Sequence, residues 1–215
     1  MLVLEGLCVT TDLDGRPHVA AMGPLVEERE RAAGRITRLV LRPFPESTTA
    51  ANLGRTGAGV FHLTDDVGLL AAIVAGRAAA LPPLRPATAV AGFVLDDACL
   101  AWEFRCGAID RSEPRTRIDA EVVAEHVGRP FLGFNRAAHA VVEAAILVTR
   151  LHLVPAEEVH RRMADLAVLV EKTGGIRERQ AFDLLRERVG PPTGDGGDDE
   201  PSGMMRGFPP PKLSP

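Results

Sequence analysis

Val9-Thr10-Thr11-Asp12-Leu13-Asp14-Gly15-Arg16-Pro17-His18-Val19-Ala20-Ala21-Met22-Gly23 is the stretch whose reading decides the fold. Apolar and β-branched residues dominate residues 2–11 and 16–26, and Asp14-Gly15 supplies turn chemistry between them, so the two read as strands of one hairpin. A second run, Arg42-Pro43-Phe44-Pro45-Glu46-Ser47-Thr48-Thr49-Ala50-Ala51-Asn52-Leu53, follows. There a strand ending in arginine feeds a hydroxyl-rich helix start, which makes a barrel edge beside a phosphate-sized anion site.

Outward from these runs, residues 35–42 alternate Ile36, Arg38, Val40 and Arg42 against Thr37, Leu39 and Leu41, which suits an edge or barrel strand with a basic face. Ser47–Leu53 reads as a short capped helix and Val60–Thr64 as a strand. Asp65-Asp66 opens a helix that stops at Gly76, and a proline-rich connector occupies 81–86. Strands at 98–109 and 115–127 flank a polar turn at Ser112-Glu113-Pro114. The sum is about six strands, a Greek-key-like barrel. From Gly133 the apolar period changes to that of helices, with three expected at about 135–151, 155–172 and 176–189. The chain therefore reads as α+β: a barrel domain over 1–130, a helical C-terminal extension over 131–190, and a Pro-, Gly- and Asp-rich tail over 191–215 with the composition of disorder.

The 215 residues suffice for a substantial core, and a net charge of −4 supplies no basic field for nucleic acid. Glu5 interrupts the first apolar stretch and no basic n-region precedes it, so the N-terminus reads as a strand and not as a signal peptide. The apolar run 137–148 holds His139 and Glu143 and is too short to span a bilayer. Three widely spaced cysteines, Cys8, Cys99 and Cys106, fit neither a disulfide framework nor a zinc site. The six histidines show no clustered metal-ligand spacing, so no metal is expected. Together these features describe a cytoplasmic protein with reduced thiols.

A phosphate monoester needs several donors at once, and Arg42, the Thr48 and Thr49 hydroxyls and the free amides of the helix start can supply them. The same residues also read as a plain helix cap beside a solvated arginine. Ala20, Ala21, Met22 and Gly23 leave room for a flat ring against the strand backbone, or form an ordinary strand in an alanine-rich protein. His18 heads that strand and is grouped with the ring contacts, although a partly exposed strand histidine reads as well. On the helix after Gly133, Arg136, His139, Glu143 and Arg150 fall on one stripe that borders a site, lines a seam or simply faces water. Asn135 and Arg136, at its positive end, are the second anion-binding candidates. Lys172-Thr173-Gly174-Gly175 places its glycines after the lysine, which is a helix end and not a phosphate loop.

These residues resemble a known family. The first half looks like an FMN-binding split barrel, the fold of pyridoxamine-phosphate oxidases and flavin reductases. More narrowly, Thr10-Thr11 through Asp14-Gly15-Arg16-Pro17-His18 to Met22-Gly23, Arg42-Pro43-Phe44, Thr48-Thr49 with Asn52-Leu53, Gly133-Phe134-Asn135-Arg136-Ala137 and Glu171-Lys172-Thr173-Gly174-Gly175 resemble DUF447. Flavin reductases of this fold carry Asp-Thr-x-x-Asn-Ile at the FMN phosphate. Thr48-Thr49-Ala50-Ala51-Asn52-Leu53 is similar, with Thr48 in place of aspartate, and this implies a role for Asn52 at the phosphate. The resemblance also implies a homodimer with FMN at the subunit interface and an FMN-dependent oxidoreductase that meets a small-molecule electron donor or acceptor. A flavin carrier or sensor without turnover, and a cofactor-free interaction dimer, are the alternatives.

Overall fold

The computed structural model describes residues 1–78 and 81–191, so the tail expected over 191–215 lies almost entirely outside the described residues. The first hairpin is bent in the middle. One arm consists of β1 (Leu2–Val3) and β2 (Gly6–Thr11); the other consists of β3 (Pro17–Met22) and β4 (Leu25–Val26). The turn between them is held by the Asp12 carboxylate, which accepts from the Asp14 and Arg16 amides at 2.9 and 2.8 Å. Gly15 there takes φ of 79°, a conformation that side chains with a Cβ rarely adopt.

Past β4 come α1 (Glu28–Ala32), β5 (Arg38–Leu41), α2 (Thr48–Thr56), β6 (Ala58–Leu63), α3 (Val67–Val74), β7 (Leu84–Pro86), β8 (Phe93–Leu95), β9 (Leu100–Asp110) and β10 (Arg117–Val127). The main sheet is antiparallel and runs β1-β4-β5-β10-β9-β6-β2-β3. Because the hairpin bends, β2 pairs with β6 at one end while β4 pairs with β5 at the other. The Leu4 amide donates to the Pro24 carbonyl at 3.0 Å across the bend. Counting each bent arm once, six strands curl into a split barrel, in line with the sequence reading. The sequence reading passes over α1 and the small β7–β8 hairpin. Each is only a few residues long, and its stability comes from tertiary contacts more than from local preference.

The barrel interior is filled by residues such as Phe61, Trp102, Phe104, Leu39, Leu41 and Ile118. β2 has both faces covered: Cys8 points into the barrel, while Leu7 and Val9 join a second core with the helices. That second core is built by α3 with α4 (Arg136–Val148), α5 (Ala156–Thr173) and α6 (Ile176–Val189). Helix α4 packs alanines and valines on two sides, which lets α3, α5 and α6 approach closely.

Two buried polar knots fix strand edges. Glu103 is 0% exposed. It accepts from the Thr88 hydroxyl at 2.8 Å, from the Thr88, Ala89 and Val90 amides at 2.6, 2.6 and 2.9 Å, and from His126 Nε2 at 2.6 Å. Burial alone raises a carboxyl's pKa, but the amide, hydroxyl and imidazole donors outweigh it and hold Glu103 at about 2. His62 donates from Nδ1 to the Leu7 carbonyl at 3.3 Å and accepts the Leu95 amide at Nε2 at 3.0 Å. Burial keeps this imidazole neutral, with its pKa pushed down to about 4.

Candidate functional site

The bend in the first hairpin opens a cleft of about 790 Å³ between β3, the start of α2 and the C-terminal half of α4. Three walls are distinct. Ala20, Ala21, Met22 and Gly23 form the strand wall, as their small side chains suggest. Leu70 and Val74 of α3 with Val142, Ala145 and Ile146 of α4 form an apolar wall. Arg42, Phe44, Ser47, Thr49 and Arg115 form the polar end, with Arg150 close by.

Ser47 is the N-cap of α2: its hydroxyl donates to the Phe44 carbonyl at 2.7 Å and accepts the Ala50 amide at 3.1 Å. The Thr48 and Thr49 amides, in the first turn, have no acceptor within the helix. Thr49 is only 3% exposed, lines the cleft, and its hydroxyl is not bonded to any described residue. The buried hydroxyls left without a partner among the described residues are those of Thr11 and Thr116; the Thr49 hydroxyl is open to the cleft, where an entering acceptor can meet it.

Arg42 pairs with Glu113 at 2.9 Å. Arg115 reaches the Arg42 carbonyl at 3.4 Å and lies over the Phe44 ring. Partial burial, then the positive charges of Arg150 and Arg42, pull the Arg115 pKa below the ordinary arginine value. Arg115 is thus repelled by Arg42 and Arg150 around one open volume, with Glu113 paired to Arg42 and Glu5 facing Arg150. An anion with two charges relieves that repulsion while collecting the amides and hydroxyl of α2.

The structure brings Arg42, Thr49, Ala20, Ala21 and Met22 to this cleft and leaves the other candidates elsewhere. Thr48 is exposed beside it at the first helical position. Asn52 is buried on the inner face of α2 and donates to the Thr10 hydroxyl at 3.0 Å. His18 stands opposite Thr10 in the hairpin. Asn135 caps α4, accepting the Ala137 amide at 2.7 Å, and exposed Arg136 follows it at the end of the helix remote from the cleft. The stripe of Arg136, His139, Glu143 and Arg150 is exposed along its length, and only its last member lines the cleft. Sequence reasoning missed Arg115, whose neighbours Pro43 and Phe44 come from a distant strand. Among the described residues no group of three or more His, Cys, Asp or Glu side chains is placed to hold a metal ion. No helix among them is long and apolar enough to cross a membrane.

A family model described as the N-terminal domain of a protein of unknown function, DUF447, matches residues 4–129, and its C-terminal counterpart matches residues 135–187. The chain belongs to the DUF447 family. Among solved structures, it is similar to an FMN-bound DUF447 protein from Methanosarcina mazei, with a TM-score of 0.72 at 21% identity, over 86% of this chain and 94% of that one. It is more distantly similar to the styrene monooxygenase flavin reductase of Pseudomonas putida S12, with a TM-score of 0.47 at 14% identity over 60% of this chain and 83% of that one. Flavoredoxin of Desulfovibrio vulgaris stands at a TM-score of 0.45 and 14% identity, over 60% and 71%. No curated protein matches the chain. The likeness to the Methanosarcina mazei structure shows the fold alone: this chain shares its arrangement of barrel and helices.

Proposed function

We propose that this DUF447 protein binds FMN in the cleft and serves as a cytoplasmic, homodimeric oxidoreductase. The observation that carries the reading is the convergence of Arg42, Arg115 and Arg150 on the start of α2, where the Thr49 hydroxyl reaches the cleft without a bond to another described residue. These groups match the charge and the acceptor count of a phosphate monoester. The small residues Ala20 to Gly23 leave space for a flat ring, and the apolar face of α3 and α4 covers its other side. The FMN-bound relative of the same family supports the choice of ligand.

Bound FMN would supply hydride chemistry, and this chain's residues would hold and orient it. Arg42, Arg115 and the α2 amides would fix the phosphate; Thr49 would donate its hydroxyl; β3 would set the plane of the ring. A small-molecule donor or acceptor would meet the ring in the cleft. The two family models fall on either side of residue 130, which supports a barrel unit and a helical unit as the domains. The helical unit is then a wall of the ligand site as well as an extension.

Titration of the purified protein with FMN, followed by quenching of flavin fluorescence, tests the reading. Saturable binding is expected, with Arg115→Ala weakening it by about tenfold or more. Absence of binding, or an unchanged affinity in both Arg115→Ala and Thr49→Val, overturns it. Sedimentation or light scattering reads the dimer directly.

A further inference from the structure

A cluster of apolar side chains faces water at the end of α4 remote from the cleft. Phe131, Leu132, Phe134 and Ile176 are between 51% and 88% exposed. Phe131 meets Phe134 edge to face with 5.6 Å between ring centroids, and Phe134 meets His139 in the same way at 5.9 Å. The start of α3 ties the cluster down from both sides. Asp65 accepts from Arg129 and from the Leu132 amide, and Asp66 accepts from Arg177, the neighbour of Ile176, at 3.4 Å. Asn135 donates to the Thr173 carbonyl at 3.4 Å, which joins the end of the loop to the end of α5. The rings are thus held in place while they face solvent, and a partner would meet them without the cost of ordering the loop.

At about 150–200 Å² for a large apolar side chain, the four present roughly 500 Å². A monomer rarely leaves a patch of that size unused. Beside the patch runs the exposed stripe of Arg136, His139 and Glu143. Among the described residues neither Arg136 nor Glu143 forms an ion pair of its own. With that stripe the surface approaches the ~800 Å² per partner of a standard interface.

The stripe is complementary to itself. Arg136 and Glu143 stand seven residues apart, two helical turns and about 10 Å along one face. A two-fold axis between His139 and Ala140, with two α4 helices antiparallel, sets Arg136 of each copy against Glu143 of the other and so pairs opposite charges twice. The same axis carries Phe134 of each copy to the level of Ala145 in the other, between Val142 and Ile146, which are half-buried and line the cleft.

We infer that this face of α4, with the Phe131–Phe134 loop, is where a second copy of the chain docks, and that the aromatic pair of each copy completes the apolar wall of the other's cleft. The docking stands on the surface alone, while its bearing on the ligand rests on the FMN reading.

The experiment is sedimentation velocity of the ligand-free full chain, with circular dichroism to confirm that each variant is folded. The wild type should be a dimer at micromolar concentration. Phe134→Asp changes an exposed side chain and acts twice in a two-fold interface, so it should raise the dimer dissociation constant about thirtyfold or more. Arg136→Glu and Glu143→Arg should each weaken association by about tenfold. An equimolar mixture of those two should associate as the wild type does, because every charge then meets its opposite; damage within one chain cannot be repaired by mixing. A wild type that stays monomeric leaves the patch to a different partner and overturns the inference, as does an unchanged dimer in Phe134→Asp or a mixture no tighter than its components. None of these readings involves FMN. In the fluorescence titration, a monomeric Phe134→Asp that binds FMN as tightly as the wild type overturns the shared wall. A wild type that binds no FMN overturns the cofactor reading and leaves the docking face standing.

Discussion

Arg115 lies over the ring of Phe44 with its guanidinium carbon 4.0 Å from the ring centroid. The contact joins the start of β10 to the turn after β5, and the Thr116 amide donates to the Pro43 carbonyl at 3.1 Å just beside it. Arg115 is thereby held toward the cleft with no carboxylate partner.

Phe44→Ala frees that guanidinium without removing its charge. We expect FMN affinity to fall about two- to fivefold, the worth of a part-exposed cation–π contact of ~0.5–1 kcal/mol. Phe44→Trp should retain it. The same fluorescence titration reads both variants.

Thr49→Val keeps the volume of the side chain and removes its hydroxyl. Affinity for FMN should drop by about three- to tenfold, near the ~1 kcal/mol net value of one hydrogen bond. The thermal midpoint of the ligand-free protein should hardly move, because that hydroxyl has no partner in the chain.

His62 sets a stability change in mild acid. Its folded pKa of about 4 lies below the ordinary 6.5, so the fold prefers the neutral ring. The contribution is whole above pH 6.5, shrinks as pH falls toward 4, and is on the order of 3 kcal/mol. Thermal melts across that window should show the decline, and His62→Gln, which does not titrate, should flatten it.

Glu103 acts at lower pH. Its folded value of about 2 lies below the ordinary 4.5, so its stabilisation is present above 4.5 and lost as pH falls toward 2. Glu103→Gln turns an NH₂ group toward donors that need an acceptor. It should lower stability by about 2 kcal/mol or more at neutral pH, measured by urea denaturation.

Local chemistry made most elements legible. Asp14-Gly15 announces the hairpin, Ser47 the start of α2, Asn135 the start of α4, and Gly175 and Gly190 bracket α6. The lining of the cleft was legible where it is local: Arg42, Thr49 and the small residues of β3 lie within two short runs. Asn52, offered as a phosphate contact by the motif, is turned inward to Thr10 by a helix whose buried face includes Thr49 and Leu53. Arg115, Arg150 and Glu5 depend on the register of β10 against β5, on the docking of α4, and on two facing bends in the first hairpin. Each is a long-range pairing that no single stretch encodes.

The walls of the cleft come from opposite ends of the chain, and a ribosome delivers them in that order. β3 and α2 emerge early; α4 arrives only after the whole barrel has been made. Until then the side of Leu7, Val9, Leu70 and Val74 that the helices cover lacks that cover, and a barrel without them presents an apolar flank. On the proposed reading the cleft is complete only once α4 has docked, and loss of α4 would expose the hydrophobic flank and remove one wall of the cleft together.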